Sequence, residues 1–462
     1  MTTAIEELAG NVLETGFEAF SAENVAEAKN RIIDVVGCAI GGANASGNSI
    51  LIDLVTGWGG KKEATILVHG HRVPAHNAAM VNSIMCRSYD YEVTGPQPEG
   101  EAEHSKTGHI CGTTEHAALT VAEMKGSNGK ELIAAVILGG DMAARVASAE
   151  DFDYDRSFNL SGTVNAFGAA AIAGRLWGLN QKQMLSAFGI LLHEIAGSYQ
   201  GHWDGDHTFK LSQGLSARNA IVAVELASKG FIGNKDALLS RRGYFAQYCK
   251  TYHPELLTKE LGQVFYTRGK HKAYPCCYGN HTAIECCLQL LRQNDIHSMN
   301  PEDVAEVILG VTANTCDRYL NQPFEMGDPQ MRATFSLPYN VANVLLRGRT
   351  RLEHFTDEFL YDPGVLGLVQ KVKLVPTTPP GKGLATDLKV KMKDGREFSA
   401  HVDGPRGLRD DPLTQDEITD KFWANVDFSK TVSRKKAEKA LAMLENLEEI
   451  DTVGKIVQLL AA

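Results

Sequence analysis

Apolar residues recur every three or four positions through most of the chain before residue 260, a spacing that predicts helices. An early helix is expected after Ser21-Ala-Glu-Asn24, which resembles a capping box at a helix start. Further stretches share this pattern and are rich in Ala and Gly, which lets helices approach closely. They cover residues 77–90, 115–125, 130–148, 164–177, 181–197 and 214–229.

The pattern changes after about residue 265. Alternating apolar and polar residues predict strands, and Lys393-Asp-Gly-Arg396 is typical of a hairpin turn between two of them. The predicted strands cover residues 304–312, 369–375, 386–392 and 398–402. Helices are predicted at 281–293 and 338–346, and the helical pattern returns after Pro412.

This organisation predicts a mainly α protein with a smaller α+β domain. We expect a helical domain built from residues 1–266 and 410–462, because both ends of the chain have helical spacing. Residues 267–409 would form the inserted α+β domain and could act as a lid. The length of 462 residues is consistent with two or three domains.

The composition excludes several classes of partner. Lys and Arg number 46 against 56 Asp and Glu, a net charge of −10, so no surplus of cations is available for nucleic acid or an anionic membrane. A few convergent cations could still bind a small anion. The nine cysteines are odd in number, and the start of the chain does not resemble a signal peptide. We therefore expect a reducing, cytoplasmic compartment.

Common cofactor motifs are absent from the sequence. It has no glycine-rich nucleotide loop, no Gly-x-Ser-x-Gly and no His-Glu-x-x-His. Cysteines and a histidine cluster at 276–287, but two adjacent pairs without a Cys-x-x-Cys spacing are poor zinc ligands. Packed core cysteines are the simpler interpretation. We expect neither a metal nor an organic cofactor.

The most informative polar stretch covers residues 90–109. Asp90 follows a predicted helix, and a loop with two prolines delivers His104 and His109. An acid beside an imidazole can hold one tautomer of the ring and raise the basicity of its other nitrogen. The same composition is also typical of a solvated surface loop.

A second polar stretch, residues 201–214, carries His202, His207 and Lys210. We expect Gly214 to begin a helix, whose N-terminus could bind an anion. A glycine-rich turn with exposed charges would have the same composition.

Two more stretches lie in the predicted α+β domain. Lys272 supplies a cation, and His281 opens a helix soon after it. Ser336 is placed to cap the helix that contains Pro338, and Tyr339 could project from that helix into a cleft. Such helix starts are also common in proteins where they have no chemical role.

In this order, these segments resemble the MmgE/PrpD family, which includes 2-methylcitrate dehydratase, cis-aconitate decarboxylase and iminodisuccinate epimerase. The resemblance extends to the 34–42 and 162–171 segments and therefore covers nearly the whole chain. It implies a site between a helical domain and a lid, a homodimer, and no metal or organic cofactor. It also implies that the substrate is a small anionic polycarboxylate.

The resemblance carries four catalytic residues onto this chain: Asp90, His109, Lys272 and Tyr339. Lys272 would bind a carboxylate, His109 oriented by Asp90 would be the base, and Tyr339 or a histidine would donate a proton. Residues implied or placed by the sequence as substrate-binding are Thr94, His104, Asn159, Lys210, Cys277, His281 and Ser336.

Two of these positions depart from the family pattern. Asn159 and Cys277 stand where decarboxylase-like members have histidines, and the loop with His104 is longer than usual. We therefore expect a lyase of the dehydratase kind, which removes a proton beside a carboxylate. An epimerase, an isomerase or a decarboxylase would use a similar carbanion, and a non-catalytic helical scaffold is a further alternative.

Overall fold

The computed structural model describes residues 2–98, 108–153, 156–322, 324, 327–379, 383–408 and 410–461. Helices dominate these ranges, which confirms the predicted mainly α fold class. The helices are α1 Ala4–Glu14, α2 Ala22–Gly41, α3 Asn48–Trp58, α4 Ala75–Arg87, α5 Cys111–Lys125, α6 Gly129–Ser148, α7 Val164–Trp177, α8 Gln181–Leu191, α9 Gln200–Asp204, α10 Thr208–Ser228, α11 Tyr244–Tyr248, α12 His281–Gln293, α13 Ala313–Cys316, α14 Pro329–Phe335, α15 Leu337–Arg347, α16 Asp357–Leu360, α17 Pro363–Val369, α18 Gln415–Ser429, α19 Arg434–Glu445 and α20 Gly454–Leu460.

Strands form three small sheets in the described part of the chain. They are β1 Ala64–Thr65, β2 Arg72–Val73, β3 Glu150–Phe152, β4 Cys249–Tyr252, β5 Val304–Gly310, β6 Val372–Val375, β7 Thr386–Met392 and β8 Glu397–Val402. β1 pairs with β2, β3 pairs with β4, and the largest sheet has the order β6-β5-β7-β8. In that sheet β5 and β6 are parallel, whereas β7 is antiparallel to both of its neighbours.

Local signals in the sequence account for several of these elements. The Ser21 side chain accepts a hydrogen bond from the Asn24 backbone N–H, which confirms the predicted capping box. The predicted hairpin is β7–β8, and Gly395 in its turn has φ +88°, a left-handed conformation that glycine adopts at little cost. The largest sheet takes all its strands from residues after 300, as expected for the α+β region.

Close helix packing builds the core of the helical part. A Cβ atom on Gly168 of α7 would lie 2.7 Å from the Gly139 carbonyl oxygen of α6, so these helices meet backbone to backbone. α18 from the C-terminal part packs on α2, where a Cβ on Gly37 would lie 3.3 Å from Phe422. No helix of the described residues is long and apolar enough to cross a bilayer.

One expected helix start is wrong. α10 begins at Thr208, so Gly214 lies inside the helix and offers no N-terminal anion site. The reason is tertiary packing, because a Cβ on Gly214 would lie 2.5 Å from the Ile84 side chain and 2.7 Å from the Met80 carbonyl oxygen. Gly214 therefore allows α10 to approach α4. The domain boundaries near residues 267 and 409 stay a prediction.

Candidate active site

A cavity of about 650 Å³ lies between helices of the first half of the chain and segments near residues 277, 314–319 and 335. Its walls come from the end of α4, the loop before α5, the segment 157–161, α9, the loop before α12, and α13 with the residues that follow it. Polar side chains in the lining are Arg87, Asp90, His109, Ser157, Asn159, Ser161, Tyr199, Gln200, His202, Cys277, Asn314, Arg318 and Tyr319.

An ion cluster forms one wall of this cavity. Arg87, the last residue of α4, is 3% exposed and contacts the carboxylates of Asp90 and Glu92. Its Nη1 lies 3.1 Å from Glu92 Oε1 and is also hydrogen-bonded to Asp90 Oδ1. Lys272 adds a second cation, with Nζ 2.8 Å from Asp90 Oδ1. Two buried cations thus balance two buried carboxylates, which makes their burial tolerable.

The charges in this cluster set the protonation state of both acids. Burial by itself would raise the pKa of Asp90 and of Glu92. Burial is the largest single effect, but Arg87, Lys272 and His109 together outweigh it, so each pKa lies below its ordinary value. Both side chains are therefore carboxylates at neutral pH, and they accept hydrogen bonds without donating any.

His109 is the imidazole next to this cluster, and its side chain is 20% exposed. Nδ1 lies 2.8 Å from Glu92 Oε1 and 2.9 Å from Arg87 Nη1, whereas Nε2 lies 3.5 Å from Asp90 Oδ1. Asn165 fixes the backbone, because its Nδ2 donates to the His109 carbonyl oxygen at 2.6 Å. Burial and then Arg87 lower the pKa of His109, against the opposing carboxylates. The ring is therefore neutral at neutral pH.

Two phenols and a second imidazole form the opposite side. The hydroxyls of Tyr199 and Tyr319 lie 3.2 Å apart, and burial raises the pKa of both, so both keep their protons. His202 stacks on Tyr199 with ring centroids 4.2 Å apart. Burial and then Arg87 lower the pKa of His202 to about 3, so this ring is also neutral.

Arg318 gives the cavity a cation that no carboxylate of the described residues neutralises. Its guanidinium lies 5.2 Å from the centre of the Tyr319 ring, and no carboxylate pairs with it among the residues that the structure describes. Arg87, by contrast, is paired through Nη1 with the carboxylates of Asp90 and Glu92, although its Nε has no hydrogen-bond partner in the described part of the chain. A half-buried arginine without a carboxylate partner in a polar cavity can bind an anionic ligand.

The structure brings several predicted residues to this cavity. Asp90, His109, Asn159 and Cys277 all line it. Asn159 Oδ1 accepts a hydrogen bond from the Ser161 backbone N–H at 2.9 Å, and Cys277 Sγ lies 3.9 Å from the Tyr319 hydroxyl. His104 lies outside the described residues.

The two predicted lysines do not line the cavity. Lys272 is completely buried, and its Nζ donates to Asp90 and, at 3.5 Å, to the Cys276 carbonyl oxygen. Lys272 therefore neutralises Asp90 from the protein interior and does not reach the cavity.

Lys210 is also buried, with hydrogen bonds to the Ser46 carbonyl oxygen at 2.6 Å, Asn48 Oδ1 at 2.8 Å and Ser88 Oγ at 3.2 Å. Its three acceptors are neutral, and burial lowers the pKa of Lys210 to about 7. All three ammonium donors have protein partners, so Lys210 holds the loop at 46–48 against α4.

The predicted tyrosine and its neighbour belong to the framework of α15. Tyr339 is fully buried and stacks on Phe324, and its hydroxyl donates to the His354 carbonyl oxygen. It does not line the cavity, because the phenol points into this packed region. Ser336 caps α15 by accepting from the Tyr339 backbone N–H at 3.1 Å, as its sequence position predicted.

Two other predicted contacts are structural as well. His281 is buried at the start of α12, with Nε2 3.3 Å from the Cys276 carbonyl oxygen. Thr94 pairs through its backbone with Lys270, with N–H···O distances of 3.0 and 2.9 Å. This backbone pairing holds the segment that follows Glu92 against the segment that precedes Lys272.

Sequence reasoning missed Arg87, Glu92, Tyr319 and Arg318 as members of the site. Glu92 stood inside the stretch that was singled out, and its spacing of two residues from Asp90 was a usable signal. Arg87 and Arg318 had no local signal, because their importance depends on which carboxylates lie near them in space.

One group of possible metal ligands occurs among the described residues. Donor atoms of Asp90, Glu92 and His109 lie within 4.8 Å of one another. The Arg87 guanidinium contacts all three, so a metal ion would have to displace this cation from its partners. In the same part of the chain no group of three donors includes the clustered cysteines, and Cys286 Sγ instead contacts the Thr386 carbonyl oxygen at 3.1 Å.

Comparisons with known proteins identify the family of this chain. The MmgE/PrpD N-terminal domain matches residues 6–257, and the MmgE/PrpD C-terminal domain matches residues 274–449. The cis-aconitate decarboxylase of Mus musculus is 26% identical over 401 residues, which cover 84% of this chain and 79% of that protein. The cis-aconitate decarboxylase of Homo sapiens is 25% identical over 398 residues, which cover 84% and 80% respectively. By these matches to both of its domains, the chain belongs to the MmgE/PrpD family.

Proposed function

We propose that this protein is a lyase of the dehydratase kind that removes a proton beside a carboxylate of a small di- or tricarboxylate, without a metal. The observation that carries the proposal is His109, a neutral imidazole held between Glu92 and Asp90 at the wall of a polar cavity. A neutral imidazole whose other nitrogen is bonded to a carboxylate is the arrangement of a general base.

The proposed base is Nε2 of His109. Nδ1 of His109 lies 2.8 Å from Glu92, which can only accept, and 2.9 Å from Arg87 Nη1, which can only donate, so the two contacts favour opposite tautomers. We assign the proton to Nδ1, because this tautomer bonds the ring to the carboxylate that would stabilise its charged form. This tautomer leaves the lone pair of Nε2 free. Glu92 then stabilises the imidazolium that forms when Nε2 takes the substrate proton. Asp90, 3.5 Å from Nε2, adds to this stabilisation.

Arg318 is the proposed partner of a substrate carboxylate. It lines the cavity and pairs with no carboxylate in the described chain, so its charge is available. A carbanion beside a carboxylate is stabilised when negative charge moves onto that carboxylate, and a nearby guanidinium favours this movement. This assignment replaces Lys272, whose ammonium is used by Asp90.

Tyr199 and Tyr319 are the proposed proton donors to the leaving oxygen. Both phenols line the cavity, and their raised pKa values keep them protonated until a base develops beside them. They replace Tyr339, whose hydroxyl is bonded to the His354 carbonyl oxygen.

A decarboxylase is the second candidate, because the two similar mammalian proteins are cis-aconitate decarboxylases. Against it stand Asn159 and Cys277, which occupy positions where the family resemblance places histidines in decarboxylase-like members. An epimerase would form the same carbanion and return the proton to the other face. A scaffold without activity would not need a neutral base and a guanidinium without a carboxylate partner among the described residues in one cavity.

The test is a turnover screen in heavy water, followed by proton NMR. Tricarboxylates including cis-aconitate, hydroxy-dicarboxylates and amino-dicarboxylates are each incubated with the protein. Loss of water with a new vinyl signal supports the dehydratase. Deuterium at the carbon that lost carbon dioxide identifies a decarboxylase, and deuterium at an inverted carbon identifies an epimerase. No turnover and no exchange with any of these compounds would refute a catalytic role.

His109→Gln tests the base and should lower kcat/KM by roughly a hundredfold. The matched control is His401→Gln, since His401 Nδ1 lies 2.8 Å from Asp387 Oδ1 on the surface of the largest sheet, outside this cavity. The control should keep full activity. Full activity in His109→Gln would show that the cavity uses another base.

A further inference from the structure

Three buried titratable residues lie behind the ion cluster. Asp34 of α2 contacts Lys421 of α18 at 2.7 Å and Nδ1 of His271 at 2.9 Å, both through Oδ2. Each residue is at most 5% exposed. This Asp34 triad joins α2, α18 and the segment that precedes Lys272. None of its members lines the cavity.

The Asp34 triad holds the backbone on both sides of Glu92. Asp34 Oδ1 accepts from the Val93 backbone N–H at 2.8 Å. Lys421 Nζ donates to the Tyr91 carbonyl oxygen at 2.7 Å and lies 4.1 Å from the centre of the Tyr91 ring. Tyr91 and Val93 are thus fixed on the face away from the cavity. The direction of the Glu92 side chain follows from these two anchors.

His271, the third member of the triad, fixes the position of Lys272, the cation that pairs with Asp90. His271 is bonded to Asp34, and the next residue, Lys272, donates to Asp90. Asp90 has φ +49°, a left-handed conformation that is unfavourable for a residue with a Cβ. Such a conformation persists only where the surroundings impose it. The Asp34 triad is part of those surroundings, because it holds the chain on either side of the Asp90–Lys272 contact.

Asp34 is charged throughout the pH range of interest. Burial would raise its pKa, but the Lys421 ammonium and the hydrogen bond from His271 bring the pKa down to about 2. Its two oxygens therefore act only as acceptors, for the donors on Val93, His271 and Lys421 and for the Cys38 thiol at 3.7 Å.

We propose that Asp34 is a positioning residue that sets the distances among Glu92, Asp90 and His109 through the backbone of residues 91–93. Its kinetic test rests on the proposed function, whereas its spectroscopic test does not. Displacement of a general base by about 1 Å can lower the rate by about a hundredfold.

A second buried carboxylate provides a matched control. Asp141 of α6 contacts Arg145 at 2.7 Å and accepts from the Tyr266 backbone N–H at 2.9 Å. It is as buried as Asp34 and also links a helix to a distant backbone segment. Neither Asp141 nor its partners line the cavity. Asp34→Asn and Asp141→Asn therefore remove similar charges, but only Asp34 anchors the residues beside the base.

The experiment compares the two variants in the full chain. We expect Asp34→Asn to lower kcat by about 10- to 100-fold with KM changed much less, and to move the acid limb of the kcat/KM profile. Asp141→Asn should keep kcat and this limb within about twofold of the wild-type values, even if it lowers stability to a similar extent. Lys421→Arg, which keeps the charge, should retain more activity than Lys421→Met.

A second readout needs no substrate. The ring signals of labelled histidines are titrated by NMR, and the His109 signal is assigned by its loss in His109→Gln. A shifted His109 titration in Asp34→Asn but not in Asp141→Asn supports the proposal, even if no tricarboxylate is turned over. If Asp34→Asn does not fold, Lys421→Met is titrated in its place. Unchanged His109 titration in the folded variants, or equal changes with Asp141→Asn, would overturn the proposal.

Discussion

Removal of Arg87 should shift the pH at which the proposed base works. Arg87 faces Asp90, Glu92 and His109 at once, and its charge disfavours a proton on His109. In Arg87→Met the two carboxylates keep only Lys272 as a buried cation. The imidazolium form of His109 is then more stable, so the pKa of His109 rises. The ring stays protonated, and cannot act as a base, up to a higher pH than in the wild type.

The size of this effect follows from the contact distances. Two unit charges about 4 Å apart interact by about 4 kcal/mol at an effective dielectric constant of ~20. Solvent at the exposed edge of His109 screens part of this interaction. We therefore expect kcat/KM at pH 6.5 to fall by roughly 10- to 100-fold and to recover partly at higher pH, where the imidazolium loses its proton. Loss of one buried charge partner should also cost about 3–5 kcal/mol of stability.

The assay is the kcat/KM profile from pH 5.5 to 9, with urea unfolding at pH 7 on the same samples. Arg145→Met is the matched control, because Arg145 forms a buried ion pair with Asp141 away from the cavity. It should lose similar stability and keep the wild-type profile. A profile in Arg87→Met that falls equally at every pH would refute the reasoning, since a uniform loss indicates damaged structure and no change in His109 ionisation.

Three further predictions concern other groups. Arg318→Gln should raise KM by roughly 10-fold or more, as expected for loss of a charged hydrogen bond to a substrate carboxylate, and an unchanged KM would exclude Arg318 from binding. Burial raises the pKa of Glu150 to about 8, so its neutral form stabilises the folded state at low pH and this contribution is lost as pH rises towards 8. Glu150→Gln should gain about 1–3 kcal/mol relative to wild type between pH 5 and pH 8 in urea unfolding, and a constant difference would contradict this. Four buried histidines have pKa values lowered to about 3 or 4, mainly by burial, so the unfolded chain binds more protons and stability should fall as pH drops below about 6.5. They are His116, His202, His281 and His354. His281→Gln should flatten the slope of unfolding free energy between pH 6.5 and 5.5, and an unchanged slope would count against this origin.

The elements of the fold were largely predictable because their signals are local. The Ser21 cap, the hairpin at Gly395 and the helix from His281 to Gln293 each depend on residues a few positions apart. Element ends were less predictable. The helix predicted at 181–197 ends at Leu191, and α10 starts before Gly214, because contacts with other helices decide where each one stops.

The sequence by itself determined that Asp90 and His109 are candidates for acid–base chemistry, and the structure puts them at one cavity. It did not determine which cations are free. Lys272 and Lys210 have their donors occupied by protein atoms, whereas Arg318 has no carboxylate partner in the described residues. Such a difference depends on groups that are distant along the chain but adjacent in space. Burial and Coulomb interactions act over these spatial distances, so only the tertiary structure decides which charge is available to a ligand.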